Sequence, residues 1–566
     1  MQNKAAEYMD RAEKLKPHLQ TQATGIPMEK KLPIINRSPA SPGIPLVLPP
    51  STSTKRFEDY IVQAENICGA NNVKIITSAE ETYKNLVNAL DMLNLNTSDR
   101  ENLLVSAIIR PCKTSETQDI VRLCNSFEIL IWSFSSGGDG DYRAAIPRVP
   151  GSIGLDFGRY MNKVLDKKLD KTFRLNWPEY MGGLVLGNIA EGNMFTLYCG
   201  KEIILPNGDL LKTGMIQLPG IQPIANQVPQ VEQPETKKNQ VVQTAMDVFN
   251  GKLLPENGLG IAVKVAICLT PNRVDCQPYQ IEFSKDDNLH QIVHIAQRLR
   301  QKMTLQGSLT LHYVLLDVAI HGPKSSSASS NAALSDGELD RISTNRWRLN
   351  GTIYGEKRVR SALFQIINEA FSLIEGAIFT FLVEGVQQEH SALYVRSKQP
   401  GEITSIDEPG WTKWIPNGSH VFFRLTSEIS GEMAISQYSI TKKRIQEAEF
   451  DFMSSFTIDG RQMHYILYIV YERYDSDSRR RVHKLIRTLM GDCAENGWTE
   501  YWTYGALMDQ IAATRDTPDN AMAKINSAIK DAVDPAGIME PGRNSIWPTR
   551  SDKSVWKRMA DRSLVE

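Results

Sequence analysis

Cysteine is scarce in this sequence and has no pattern. Cys68, Cys112, Cys124, Cys199, Cys268, Cys276 and Cys493 are an odd number, with no CxxC and no short-range cluster. That argues against a disulfide framework or a zinc site and fits a reducing compartment. Long apolar runs are missing too. None approaches the roughly 18 residues that a membrane helix requires, so no membrane partner is expected. The first residues interleave Glu7, Asp10 and Glu13 with Lys4, Arg11 and Lys14, unlike a signal or transit peptide, and the closing Ser-Leu-Val-Glu lacks a Ser-Lys-Leu peroxisomal address. A cytoplasmic protein is the expectation. There is also no excess charge of one sign: 64 Lys and Arg stand against 65 Asp and Glu, a net charge of −1. No global field therefore favours nucleic acid or an acidic membrane. No repeat of fixed period is visible, and 41% hydrophobic with 23% charged residues excludes disordered, collagen-like and coiled-coil chains.

What is present is a soluble globular pattern of 566 residues, enough for three or four domains or a large two-domain enzyme. Seven prolines between Pro27 and Pro50 mark residues 1–56 as an N-terminal arm and linker. Beyond it the pattern predicts a helix over Phe57–Cys68 and strands at Val73–Thr77 and Leu103–Ile109. A helix with a Ser115-x-x-Gln118 capping box and a strand at Glu128–Phe134 follow. That strand runs into Ser135-Ser136-Gly137-Gly138-Asp139-Gly140-Asp141. Such a loop lets backbone N–H groups converge on a pyrophosphate, although a plain tight turn reads the same way. Short β segments follow, with a hairpin at Pro206-Asn207-Gly208-Asp209. From about 275 the reading is a strand (Tyr279–Phe283), a helix from Asp286 or Asp287 to about Met303, and a strand over Leu309–Ala319. A helix opened by Ser335-x-x-Glu338 comes next. Helices at Val359–Ile374, Ile435–Glu447 and Arg479–Asn496 then alternate with strands at His420–Leu425 and Tyr465–Tyr471, as in a sheet backed by helices.

The string Ile146-Pro147-Arg148-Val149-Pro150-Gly151-Ser152-Ile153-Gly154-Leu155-Asp156 resembles the flavin-binding segment of the vanillyl-alcohol oxidase and 4-cresol dehydrogenase family. The resemblance continues, in the family's order, through Gly183–Asn188, Leu205–Met215, Asn257–Lys264, Trp414–Phe423 and the closing Asp534–Pro548, covering roughly residues 57–557. It implies an α+β two-domain flavoenzyme. Residues 57–270 would form the FAD-binding domain and 271–497 a cap domain with a sheet backed by helices. Residues 498–566 would complete the FAD and active site. The implied activity is FAD-dependent oxidation of 4-hydroxybenzyl alcohols or alkylphenols. The small aromatic substrate binds as phenolate, hydride passes from the benzylic carbon to flavin N5, and oxygen or another acceptor takes the electrons. Negative charge on the phenol oxygen stabilises the quinone methide left behind, so donors at that oxygen must be preorganised. Family members are often dimers or octamers, which makes a homo-oligomer part of the same expectation.

Residue by residue, the resemblance assigns phenolate binding to Tyr142 and Tyr501 and an acidic role near N5 to Glu179. Cofactor contacts fall on Ser135, Gly137, Gly138, Asp139, Gly140, Pro147, Gly187, Asn188, Gly260, Ile261, His420 and Arg543, with His420 at the position of covalent flavin attachment. No metal is expected. The departures carry information as well. Asp139 and Asp141 bring carboxylates towards an anionic pyrophosphate. A strand and helix of the family pattern are missing between Leu165 and Trp177, Phe195 stands where a further tyrosine is usual, and Trp502 replaces the oxidases' Arg. None of the nine histidines lies between His18 and His290, so the imidazole that activates the linking histidine is absent and FAD is expected to bind mainly noncovalently. Two alternatives remain open at this point. One is a degenerate or truncated relative that binds flavin without efficient catalysis; the other is a flavin enzyme acting on a non-phenolic alcohol or hydroxy acid. Cys199 and His464 read as packed side chains rather than reactive groups.

Overall fold

Burying a periodic apolar face is what forms the first elements. In helix Thr54–Cys68 the side chains of Phe57, Tyr60, Ile61, Ala64 and Cys68 recur every three or four residues and are all buried. Ser53 caps its start by accepting a hydrogen bond from Arg56 N, and Gly69, at φ 85°, ends it. Helix Thr114–Phe127 repeats the pattern with Ile120, Val121, Leu123 and Cys124. Both share a core with a four-stranded sheet of β1 (Val73–Ile75), β2 (Ala107–Ile109), β3 (Ile131–Phe134) and β4 (Ile153–Asp156), ordered β1-β2-β4-β3. β2, β4 and β3 run parallel and β1 pairs antiparallel at the edge. The computed structural model describes residues 44–77, 104–134, 146–161, 164–168, 172–175, 198–213, 258–268, 276–306, 309–324, 333–381, 410–459, 462–500, 507–515 and 519–550.

A second, antiparallel sheet contains β5 (Val164–Lys168), β6 (Thr172–Leu175), β7 (Tyr198–Ile204), β8 (Leu210–Lys212) and β9 (Ile261–Cys268), in the order β5-β6-β9-β7-β8. The expected Asn207-Gly208 hairpin joins β7 to β8. Gly208 has φ 82°, and a Cβ there would lie 2.4 Å from Arg122 Cγ. Its carbonyl accepts hydrogen bonds from Gln118 Nε2 at 2.8 Å and Arg122 Nη2 at 2.9 Å. The hairpin therefore docks on helix Thr114–Phe127, and this contact corrects the expected capping box. Lys113, not Ser115, occupies the cap position, and Gln118 is turned towards the hairpin.

The third sheet is antiparallel throughout. It comprises β10 (Cys276–Phe283), β11 (Leu309–Tyr313), β12 (Trp347–Tyr354), β13 (Ile378–Phe381), β14 (Gly418–Ser427), β15 (Ser454–Ile458), β16 (Met463–Glu472) and β17 (Thr499–Glu500). Their order is β13-β10-β12-β11-β15-β16-β14-β17. Helices Asn288–Gln301, Lys357–Phe371, Gly431–Glu447 and Ser476–Asn496 supply buried side chains to the core on one face, as expected of a sheet backed by helices. Asp475 caps the last of these through the N–H groups of Asp477 and Ser478, and Gly497 closes it in the left-handed region. The Ser335 and Glu338 capping box forms as read.

One expected strand is two elements. Leu309–Tyr313 is extended, but Val314–His321 is a helix. Eight residues of nearly continuous apolar character carry no period that separates the two states. Tertiary partners decide, because Asp317 in the helix accepts from His312 Nδ1 at 2.8 Å and Arg348 Nη1 at 3.0 Å. No described helix is long and apolar enough to cross a membrane.

Candidate active site

The base of the glycine loop is held by the far end of the chain. β3 ends at Phe134, directly before Ser135, and Ile131 pairs in parallel with Met539. Ile131 N donates to Ile538 O at 2.8 Å, and Glu540 N donates to Ile131 O at 2.9 Å. The buried Glu540 carboxylate then accepts from Ser133 N at 2.9 Å, from Ser133 Oγ and from Arg543 Nη2 at 3.1 Å, and it forms an ion pair with the Arg543 guanidinium, Nε lying 2.6 Å away. Arg543 lies 4.3 Å above the Trp132 ring and donates to Ser133 O at 3.1 Å. Glu540, Asn544 and Ser545 all have positive φ, at 43°, 49° and 62°. Such backbone persists only where surrounding contacts over-determine it, and the Glu540 and Arg543 bonds do so here.

A second buried clip lies beside it. Lys530 and Asp534 are fully buried and 2.9 Å apart. Lys530 Nζ donates to Gly258 O at 2.6 Å and to Met539 O, while Asp534 accepts from Ile538 N and Met539 N. The segment before β9 must approach closely, since a Cβ on Gly258 would lie 2.9 Å from Glu540 O. Gly260 is under the same constraint, with Ile203 Cγ2 at 2.7 Å from the position of its missing Cβ, and Ile261 is buried in the first core. Pro147 and Arg148 are buried where the chain returns from the loop. Arg148 Nη2 pairs with Asp509 at 2.5 Å and Nη1 donates to Gly542 O at 3.3 Å.

His420 lies on the third sheet. In β14 the side chains of Val421, Phe423 and Leu425 point into the helix-covered core, and period-two alternation puts His420, Phe422, Arg424 and Thr426 on the opposite face, half-buried. There His420 meets Trp411 edge-on at 4.8 Å and Phe422 at 4.9 Å. Phe422 and Trp411 each contact Tyr468, both at 5.3 Å. Arg424 lies over Phe422, with Cζ 4.3 Å from the ring centroid. Three aromatic rings, an imidazole and a guanidinium make a wall that suits a planar, electron-poor ring such as isoalloxazine together with an aromatic substrate. β17 pairs with this strand through Thr426↔Thr499 and Leu425↔Glu500. The ladder thus reaches the residue before Tyr501.

Of the residues assigned from the sequence, the structure gathers Arg543 at the loop base and Gly260 and Ile261 at the start of β9, sets Pro147 at the loop exit, and puts His420 on the aromatic wall. Tyr142, Tyr501, Glu179, Ser135, Gly137, Gly138, Asp139, Gly140, Gly187 and Asn188 lie outside the described residues. Sequence reasoning missed Trp411, Tyr468, Glu540, Asp509 and Arg424. Only Arg424 left a local signal, the alternation His420-x-Phe422-x-Arg424. His464 is packed, bonded to Thr426 Oγ1 and Gln462 Nε2. Burial pushes the thiols of Cys68 and Cys124 up to about 12, which disfavours the nucleophilic thiolate.

Comparison with known proteins adds independent findings. Residues 432–544 match the family model for the C-terminal domain of FAD linked oxidases. Over 538 residues the chain is 21% identical to the flavoprotein subunit of 4-cresol dehydrogenase (hydroxylating) from Pseudomonas putida, covering 88% of this chain and 98% of that protein. Among solved structures it resembles 4-ethylphenol oxidase from Gulosibacter chungangensis in complex with isoeugenol, with a TM-score of 0.74, 24% identity, and 89% and 99% of the two chains covered. It also resembles p-cresol methylhydroxylase with substrate bound, with a TM-score of 0.75, 19% identity, and 89% and 100% covered. The structural likenesses establish the fold. The sequence likeness along nearly all of the relative, and the family model lying over part of the third-sheet region and the C-terminal clamp, support the resemblance to the vanillyl-alcohol oxidase and 4-cresol dehydrogenase family and make the chain an FAD-linked oxidoreductase.

Proposed function

We propose that this chain oxidises 4-substituted phenols, either 4-hydroxybenzyl alcohols or 4-alkylphenols, with oxygen as the final acceptor. The observation that carries the reading is the aromatic wall of β14 and β16 around His420, set in a fold shared with two phenol-processing enzymes. Bound FAD supplies the two-electron acceptor for a benzylic hydride. The chain's own residues do the rest. Trp411, Phe422 and Tyr468 exclude water and orient a ring, and the Glu540 and Arg543 clamp holds the glycine loop's base. Tyr501 and Tyr142 are proposed to donate to the phenol oxygen and to favour its anionic form. Loss of the phenolic proton and a benzylic hydride leaves a neutral quinone methide, so charge balances at the substrate. Glu179 is proposed to lie beside the hydride-accepting position. His420 is proposed as the site of any covalent attachment, with binding mainly noncovalent.

The test is a titration of the protein with FAD followed by turnover of 4-hydroxybenzyl alcohol. Saturable binding below tens of micromolar is expected, a generous bound on the affinity scale. Tyr501→Phe should lower kcat/KM by on the order of a hundredfold. Unchanged turnover in that variant removes the phenolate assignment, and oxidation confined to non-phenolic alcohols replaces it with the other reading.

A further inference from the structure

The substitution of Trp502 for the family's Arg leaves the expected phenolate site without its cation, yet the described wall carries one. Arg424 is two residues along β14 from Phe422 and four from His420, so all three project from one face. Its guanidinium carbon lies over the Phe422 ring, 4.3 Å from the centroid, and Phe422 in turn meets Trp411 at 5.5 Å and Tyr468 at 5.3 Å. Across the ladder Arg424 faces Ile466, and one strand further lies Ser455, whose Oγ is 3.0 Å from Tyr468 Oη. On its other side β14 pairs with β17, the strand that leads into Tyr501 and Trp502. A guanidinium over an aromatic ring keeps its full positive charge, and a half-buried, ring-lined setting strengthens the pull of that charge on an anion.

We propose that Arg424 is the anion-recognising residue of the substrate cavity, replacing from β14 the cation that the segment after Tyr501 lacks. The ligand chemistry is an anionic oxygen on an aromatic substrate. It comes either from the phenolate itself or from a carboxylate on the ring's side chain. The proposal rests on the flavoenzyme reading above, and the experiment separates the two.

The full-length protein, with and without FAD, is titrated with three probes: 4-nitrophenol, whose phenolate is coloured, 4-methoxyphenylacetate, which has a carboxylate but no phenol, and the neutral 4-methylanisole. Flavin uptake is read separately from visible absorption. The wild type should bind 4-nitrophenol as its phenolate. Arg424→Met should weaken anion binding about tenfold to a hundredfold and raise the dye's half-titration pH by about 1 to 2, the size expected for one charge-assisted contact. Arg424→Lys, which keeps the charge without the planar fork, should fall between, and 4-methylanisole should stay within about threefold in every variant. Loss confined to the dye assigns the anion to the phenolate; loss confined to 4-methoxyphenylacetate assigns it to a side-chain carboxylate. The proposal is overturned if Arg424→Met leaves both anions bound as in the wild type, if neutral and anionic probes weaken alike, or if the wild type binds neither anion.

Discussion

Removing the Asp509 carboxylate tests how the chain's two ends are joined. Asp509 is the second residue of helix Met508–Arg515, and it gathers donors from two distant segments. One oxygen pairs with Arg148 Nη2 at 2.5 Å, and the other accepts from Ser545 Oγ at 2.7 Å and Trp547 Nε1 at 3.0 Å. Leu507 and Ile511, flanking it on the same segment, are buried in the core of the third sheet. Arg148 is fully buried while Asp509 remains 34% exposed. Asp509→Ala therefore strands a guanidinium whose remaining contacts include Gly542 O and the Trp547 ring. Breaking a buried pair from one side costs about 3–5 kcal/mol, and partial access of solvent on the Asp509 side brings our figure to about 2–3 kcal/mol. Asp509→Asn keeps an acceptor for Ser545 and Trp547 and should cost about 1–2 kcal/mol. The sharper measurement is a double-mutant cycle by urea denaturation. Arg148→Met/Asp509→Ala should be milder than the sum of its parts by about 1–2 kcal/mol, because no charge is left stranded. The pH dependence has a definite sign. Burial alone would raise the Asp509 carboxyl, but the Arg148 guanidinium and the Trp547 and Ser545 donors outweigh it and hold it below its usual value. The stabilisation is then complete above about pH 4 and lost as pH falls further, so wild type and Asp509→Asn should converge in acid. Coupling below about 0.5 kcal/mol, or a gap that persists into acid, would refute this account.

Three other outcomes are expected. Lys530→Met leaves the Asp534 carboxylate buried without its cation and should cost about 3–5 kcal/mol, read as a lowered thermal midpoint; a drop worth less than about 1 kcal/mol would show that the N–H groups of Ile538 and Met539 suffice. Glu540→Gln should weaken FAD binding about tenfold and also lower the thermal midpoint, since it leaves the buried Arg543 without its charge partner and loosens the Ser133 contact below the glycine loop; an unaltered dissociation constant in the destabilised variant would separate that clamp from the cofactor. Acid precipitation of FAD-loaded protein should leave most flavin in the supernatant, and stoichiometric flavin in the pellet, abolished by His420→Ala, would show that some base other than a histidine activates His420.

Local signals were legible where local physics decides the outcome. The 3.6-residue period fixed helix Thr54–Cys68 to within a few residues, the Ser335 capping box formed, and the Asn207-Gly208 pair made its hairpin. Where two local states had similar preferences, remote partners chose between them. Val314–His321 became a helix around Asp317, and Gln118 left the expected cap for Gly208. The site shows the same division. The motif order pointed to His420 and Arg543, but the partners that hold the site together are far off in sequence. Ser133 and Glu540 are 407 positions apart, and Arg148 and Asp509 are 361 apart. No window of ten or twenty residues records such a pairing. Arg424 could be read only once the strand order placed β17 beside β14.

The parallel bridge between Ile131 and Met539 has a consequence for biosynthesis. β3 is among the first strands to leave the ribosome, yet Ile538 and Met539, which fill the first core beside Ile131, arrive some four hundred residues later. Until then β3 has an unsatisfied edge and a gap where those two side chains belong, while the third sheet, whose strands β10 to β17 follow one another in the sequence, can pair as it emerges. The first core should therefore mature after the third sheet, and chains interrupted before Asp534 should carry a formed third sheet beside an open first core. Those nascent chains are the ones that would call on chaperones or proteases, and FAD added during synthesis should rescue only those that have passed Met539.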